Sequence, residues 1–145
     1  MKEVHVSKDD AKGFTTSIVD SPVPEPAENQ VLIKVVVSGT NPKDWKVPVV
    51  FTSDLPPMNT GDDIAGYIHS VGEGVTEFKP GDRVAAFHEM MKPHGSFAEY
   101  AIAWAKTTFH IPPQTTFEEA ATIPLAAMTA AVGLVSHSFT YRALV

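Results

Sequence analysis

Residues 61–84, GDDIAGYIHSVGEGVTEFKPGDRV, constrain the fold more than any other stretch. They carry closely spaced turn chemistry: Gly61-Asp62-Asp63 with Gly66, then Gly72-Glu73-Gly74, then Pro80-Gly81-Asp82. The intervening residues 67–71 and 83–87 have the apolar content of half-buried strands. Pro80-Gly81 suits the central pair of a type II turn, since Pro presets φ near −65° and Gly accepts positive φ. Glycines at 72 and 74 let the backbone reverse. The stretch reads as a compact β meander that flanking segments wrap.

Taken in order, residues 2–6 and 14–19 read as short strands around a polar turn. Residues 21–26, SPVPEP, form an extended crossing, because each Pro lacks a ladder donor. Residues 29–38, NQVLIKVVVS, are the strongest strand, β-branched and buried over most of their length. Asn41 then caps a short helix with Pro42 at its first position. Residues 47–60 hold three prolines and no periodicity, which predicts a mobile loop. Residues 87–94 read as a polar loop, 96–103 as a strand, and 106–111 as a further strand stopped by Pro112-Pro113. Thr116 and Glu119 form a capping box, predicting a helix over 117–122. Pro124 restarts helix at Leu125, and Ala126, Ala127, Ala130, Ala131 and Gly133 keep its surface small. With 12 prolines and 9 glycines, the chain is loop-rich β rather than a helical bundle.

The 145 residues suit one domain with a modest core. A net charge of −6 argues against a nucleic-acid footprint. No apolar run approaches the roughly 20 residues of a membrane span. The polar start MKEVHVSKDD is no secretory signal. Absence of cysteine excludes disulfides and thiolate metal sites and is compatible with a cytoplasmic protein. His88, Glu89 and His94 do not have the helical H-E-x-x-H spacing. Gly72-Glu73-Gly74-Val75-Thr76-Glu77 begins like a dinucleotide fingerprint but lacks its third glycine and the helix that must follow. Nucleophilic catalysis has no elbow motif and no thiol to support it. Asp62 and Asp63 read as turn-making or capping residues whose side chains diverge.

Gly61-Asp62-Asp63-Ile64-Ala65-Gly66, Val71-Gly72-Glu73-Gly74-Val75, Phe78-Lys79-Pro80-Gly81-Asp82-Arg83-Val84 and Gly95-Ser96-Phe97-Ala98-Glu99-Tyr100 occur in that order. Together, over residues 1–134, they resemble the N-terminal catalytic domain of the medium-chain dehydrogenase/reductase superfamily. The nearest branch is the zinc-independent quinone oxidoreductases and trans-acting enoyl reductases. The resemblance implies a mainly β fold with short helices, a GroES-like partly open β-barrel over 1–123, and a connecting helix with an atypical tail over 124–145. Family members continue into a nucleotide-binding Rossmann domain, so a truncated gene model, a splice variant or a degenerate copy is expected here.

Zinc-binding members place a Cys after the long strand and a His-Glu pair at the Asp62-Asp63 corner. Neither is present, which implies that no metal is used. The resemblance further implies NADPH as cofactor and a quinone, enone or enoyl thioester as substrate. Asn41, Asp44, Lys46 and Thr129 are implied to face the nicotinamide, with Lys46 and Thr129 in catalytic roles. Lys46 could polarise the substrate carbonyl or supply the proton. Some relatives place a Tyr donor in the next loop, where this chain has Phe51. On residue type alone Lys46 is equally a solvated lysine, and Thr129 a helix threonine bonded to its own turn. Activity of the isolated chain is expected to be absent. The rival reading is a non-enzymatic GroES-like module that binds protein partners, as a homo-oligomer or with a full-length relative, through residues 125–134.

Overall fold

The computed structural model describes residues 1–9, 11, 13–51 and 56–141. Strands β1 (Lys2–Asp9) and β2 (Gly13–Asp20) pair as an antiparallel ribbon. The five-stranded sheet uses β3 (Gln30–Gly39), β4 (Asp63–Val71), β5 (Arg83–Phe87), β6 (Tyr100–Trp104) and β7 (Thr108–His110), in the order β6-β3-β4-β5-β7. The helices are α1 (Pro42–Phe51), α2 (Phe117–Ala120) and α3 (Pro124–Tyr141). This is the mainly β fold that the turn-rich sequence predicts, with the partly open sheet that the family resemblance implies.

Alternation on a pleated strand sorts the side chains onto two faces. Val31, Ile33, Ile64, Ile68, Val84, Ala86, Ala101 and Ala103 share one face and form the main core with Phe78. The other face carries Ala65 and Ala85, whose small side chains let Ala120 and Ala121 of the α2 turn pack directly against the sheet. A register shift between Val35 and Val37 turns Val37 to this second face. The shift lies just before the strand hands over to α1. Arg83 secures α2 from the sheet side. Its guanidinium donates to the carbonyls of Pro112 (3.0 Å), Pro113 (3.0 Å) and Thr115 (2.7 Å) and lies over the Phe117 ring.

The Pro80-Gly81 turn has the expected geometry: Gly81 sits at φ 91° and the Asp82 amide donates to the Lys79 carbonyl at 3.1 Å. The capping box at Thr116 and Glu119 is formed in both directions. Other expectations are corrected. Residues 47–51 are helix, not loop, because Val47 and Pro48 lie on the buried side of α1 and this packing outweighs the poor helix propensity of Pro48. The rest of that segment, residues 52–55, lies outside those described. The strand expected over 96–103 begins only at Tyr100, because Ser96 and Ala98 are spent on Gly61 and β1. A 3-10 turn (Ala105–Thr107) replaces the start of the strand expected over 106–111. Helix α2 ends at Ala120, short of the expected 122, and α3 has 18 residues, from Pro124 to Tyr141.

Two glycines separate close approach from conformational need. A Cβ on Gly66 would drive into the Lys34 carbonyl of the neighbouring strand, whereas one on Gly81 meets nothing within 4 Å. Gly66→Ala should cost about 3 kcal/mol or more as an overpacked site. Gly81→Ala should cost only the roughly 1–2 kcal/mol of a left-handed alanine. Urea unfolding of the two variants reads the difference.

Candidate functional site

At Gly39 the long strand β3 ends, and Thr40-Asn41 turn the chain into α1. This corner and the β1–β2 ribbon enclose a cleft of about 520 Å³. Val4, Val6, Phe14 and Phe97 supply apolar walls, while Asn41, Asp44 and Thr60 supply a polar end. The ribbon is held in place by backbone hydrogen bonds from Val4 to Phe97 (2.8 Å) and from Val6 to Met58 (2.8 Å).

Beneath the polar end runs a chain of charges. The Lys43 ammonium lies 2.6 Å from Asp62 Oδ2 and 3.1 Å from Asp44 Oδ1, and it donates to the Thr60 carbonyl. The contact with Asp62 is an ion pair set by charge rather than by an aligned hydrogen bond. Asp62 is 1% exposed, and its Oδ1 lies 3.0 Å from Nδ1 of His88, which is 2% exposed. The far nitrogen of His88, Nε2, lies 3.0 Å from the Pro93 carbonyl.

Asp63 points the other way, as alternation requires. Its Oδ2 accepts from the Asn41 side-chain amide at 2.7 Å, and its Oδ1 accepts from the Leu125 backbone amide at 2.6 Å. The carboxylate thus satisfies an orphan donor in the first turn of α3 and sits favourably at that helix's positive end. It also ties the α1 corner to α3. The expected divergence and the capping role of Asp63 are both present. Turn-making is not the role of Asp62, which is a buried counter-ion.

Asn41 and Asp44 border the cleft. The cap at the start of α1 differs from expectation: the Asn41 side-chain amide goes to Asp63, and Asp44 Oδ2 instead accepts from the Asn41 backbone amide at 2.7 Å. Burial raises the pKa of Asp44 above its ordinary 3.8; the Asn41 and Lys43 hydrogen bonds oppose the rise and the Asp62 charge adds to it. Lys46 is exposed on α1, its ammonium 5.5 Å from the ring centre of Trp45. Thr129 is exposed on α3, one turn beyond Leu125. The side chain of Phe51 lies outside those described.

Sequence reasoning missed Lys43 and His88. Lys43 had a signal: a cation in the first turn of a helix opposes the dipole, so it needs a carboxylate nearby. His88 had none, because its partner is far away in sequence. Among the described residues, no group of three or more His, Cys, Asp or Glu side chains is arranged to hold a metal ion, and no helix is long and apolar enough to cross a membrane.

The alcohol dehydrogenase GroES-like domain model matches residues 27–113. This chain belongs to that family. It is 52% identical over 134 residues to the trans-enoyl reductase fsr4 of Gibberella fujikuroi, covering 92% of this chain and 38% of that protein. It is 39% identical over 126 residues to the quinone oxidoreductase of Rattus norvegicus, covering 86% of this chain and 37% of that one. The structure of the quinone oxidoreductase from Coxiella burnetii superposes with a TM-score of 0.80 at 28% identity, over 94% of this chain and 44% of the other. A mycobacterial protein solved in complex with NADPH superposes with a TM-score of 0.78 at 30% identity, over 92% and 40%. The chain therefore spans well under half the length of these GroES-like relatives.

Removing one partner of a buried ion pair strands the other charge. Asp62→Asn should cost about 3–5 kcal/mol, with part of that recovered in the Asp62→Asn/Lys43→Met double variant. Exposed Lys46→Ala should stay within about 0.5 kcal/mol. Urea unfolding measures all three. The pH dependence of Asp44 follows from its raised pKa. The folded chain holds this proton more tightly than the unfolded chain, so its contribution is full below pH 3.8 and is lost as the pH rises through the folded value. Urea midpoints of Asp44→Asn should therefore move in the variant's favour, relative to the parent, from pH 3.8 towards neutrality.

Proposed function

We propose that this domain forms the substrate-side wall of a zinc-independent, NADPH-dependent oxidoreductase that reduces a quinone, an enone or an enoyl thioester. The observation that carries the reading is the cleft itself, with apolar walls for a ring or acyl chain and one polar end at Asn41 and Asp44. The names of the relatives, trans-enoyl reductase and quinone oxidoreductase, support the same substrate class.

When bound, NADPH supplies the hydride. This chain's part is to hold and orient. Asn41, Asp44, Lys46 and Thr129 are the residues assigned to the nicotinamide side. Asp63 ties two of the elements that carry them, the α1 corner and α3, into one frame. The exposure of Lys46 and Thr129 leaves both open to an approaching cofactor. Reduction of a conjugated double bond builds negative charge on the carbonyl oxygen, which hydrogen-bond donors must stabilise. The Lys46 ammonium is the donor assigned to that task, or to delivery of the proton. Commitment of the Asp62 and Asp63 oxygens to Lys43, His88, Asn41 and Leu125 supports chemistry without a metal.

The sequence holds no G-x-G-x-x-G cradle for a pyrophosphate. These 145 residues should therefore bind NADPH weakly and turn nothing over. A titration with 1,4-naphthoquinone or a crotonyl thioester, followed by amide NMR, tests the cleft. Shifts should concentrate at Val4, Val6 and residues 40–46, and Lys46→Ala should weaken binding about tenfold, the effect of losing a charge-assisted hydrogen bond. Shifts confined elsewhere, or an unaltered affinity in the variant, would count against the assignment. NADPH oxidation by the unaltered 145-residue chain would overturn the expectation of inactivity.

A further inference from the structure

The two ring nitrogens of His88 face two groups that only accept. Nε2 lies 3.0 Å from the Pro93 carbonyl, and Nδ1 lies 3.0 Å from the carboxylate of Asp62. A neutral imidazole carries one N–H, so it can satisfy only one of these acceptors. The alternative, a protonated Asp62 donating to Nδ1, is opposed by the Lys43 ammonium 2.6 Å from the other oxygen of that carboxylate. Both contacts are hydrogen bonds only when the ring carries both protons. Charges then alternate along a buried line: Asp44, Lys43, Asp62, His88.

We infer that His88 is a proton-operated latch, which holds the segment 91–94 against the buried Asp62–His88 pair when doubly protonated and releases it when it loses one proton. The direction of release follows from the relative strength of the two bonds. A hydrogen bond to a carboxylate is roughly twice as strong as one to a neutral carbonyl. The remaining proton therefore stays on Nδ1 with Asp62, and the Pro93 carbonyl is let go.

The segment carries backbone strain at two positions. Met91 and His94 are non-glycine residues in the left-handed region, at φ 63° and 69°. The segment also separates two cavities. One, of about 430 Å³, is bordered by His88 itself; the other, of about 400 Å³, lies on the β1 side. His94 borders both cavities, and its Nδ1 is buried without a partner. The other ionisable groups around the His88 cavity are Glu25, Glu89, Lys92 and His94, and Glu89 is engaged by the Trp104 indole N–H at 2.7 Å. Release of Pro93 would join or reshape these two spaces. It would leave Asp62 paired to Lys43, and with it the α1 corner. The latch does not depend on the reaction proposed above.

Long-range ¹H–¹⁵N spectra of the unaltered chain read the ring directly. Both His88 nitrogens should be protonated on the acid side of its transition, and Nδ1 alone on the basic side. The Ile102 amide donates to the His94 carbonyl at 3.0 Å and reports on the same segment. Corrected for intrinsic base catalysis, its hydrogen exchange should quicken about tenfold across the transition, the signature of a local opening. In His88→Gln that pH dependence should vanish. The proposal is overturned by a ring that keeps a single Nε2–H throughout, by one that stays doubly protonated until the chain unfolds, or by a ring that titrates while Ile102 exchange stays constant.

Discussion

The Lys43 ammonium lies where β3 hands over to α1, among the oxygens of Asp62, Asp44 and Thr60. Each of these groups would be costly to bury alone. A carboxylate at 1% exposure needs a counter-charge and hydrogen bonds, and Asp62 has Lys43 on one oxygen and His88 on the other. Because the ammonium comes from α1 and the carboxylate from the approach to β4, the pair fixes the angle at which α1 leaves the sheet. That angle sets the polar end of the cleft. Asp63 does the corresponding work on the opposite side by joining Asn41 to the first turn of α3.

The sheet prepares this corner through its two unequal faces. The face of Val31, Ile33, Ile64 and Ile68 makes the core and supplies most of the apolar burial. The face of Ala65 and Ala85 is small enough for the α2 turn to sit directly on it. With the irregularity between Val35 and Val37, the strand leaves the main core face just before it reaches Asn41. A straight strand would keep Val37 on the same face as Val35, so the bulge belongs to the construction of the cleft as much as to the sheet.

How far the site could be read from sequence divides along the range of the interactions. The corner from strand to helix at residues 39–42 was legible because the strand end, Pro42 and the helix start all lie within a few residues. The capping box at Thr116 was legible for the same reason. His88 was not, since its partners Asp62 and Pro93 come to it from different directions through tertiary packing. Lys43 was half legible. Its place in a first helical turn called for an acidic partner, but nothing local distinguished Asp62 from the adjacent Asp44 or Asp63. The extension of α1 through Pro48 was hidden because proline's helix penalty is a local quantity, while the burial of Val47 and Pro48 that offsets it comes from β1 and β2.

By itself the sequence determined most element types, the Pro80-Gly81 turn, the strongest strand and the motif order by which the family is recognised. These depend on backbone preference and on alternation between neighbours, which act over a few residues. Only the tertiary structure decided that Asp62 and Asp63 serve opposite sides, that Lys43 is a half-buried cation paired to Asp62, and that His88 stands between two acceptors. A side chain's partner in a β fold is set by strand pairing and by the loops that return across it. Most such contacts join residues remote in sequence, so local pattern carries no record of them.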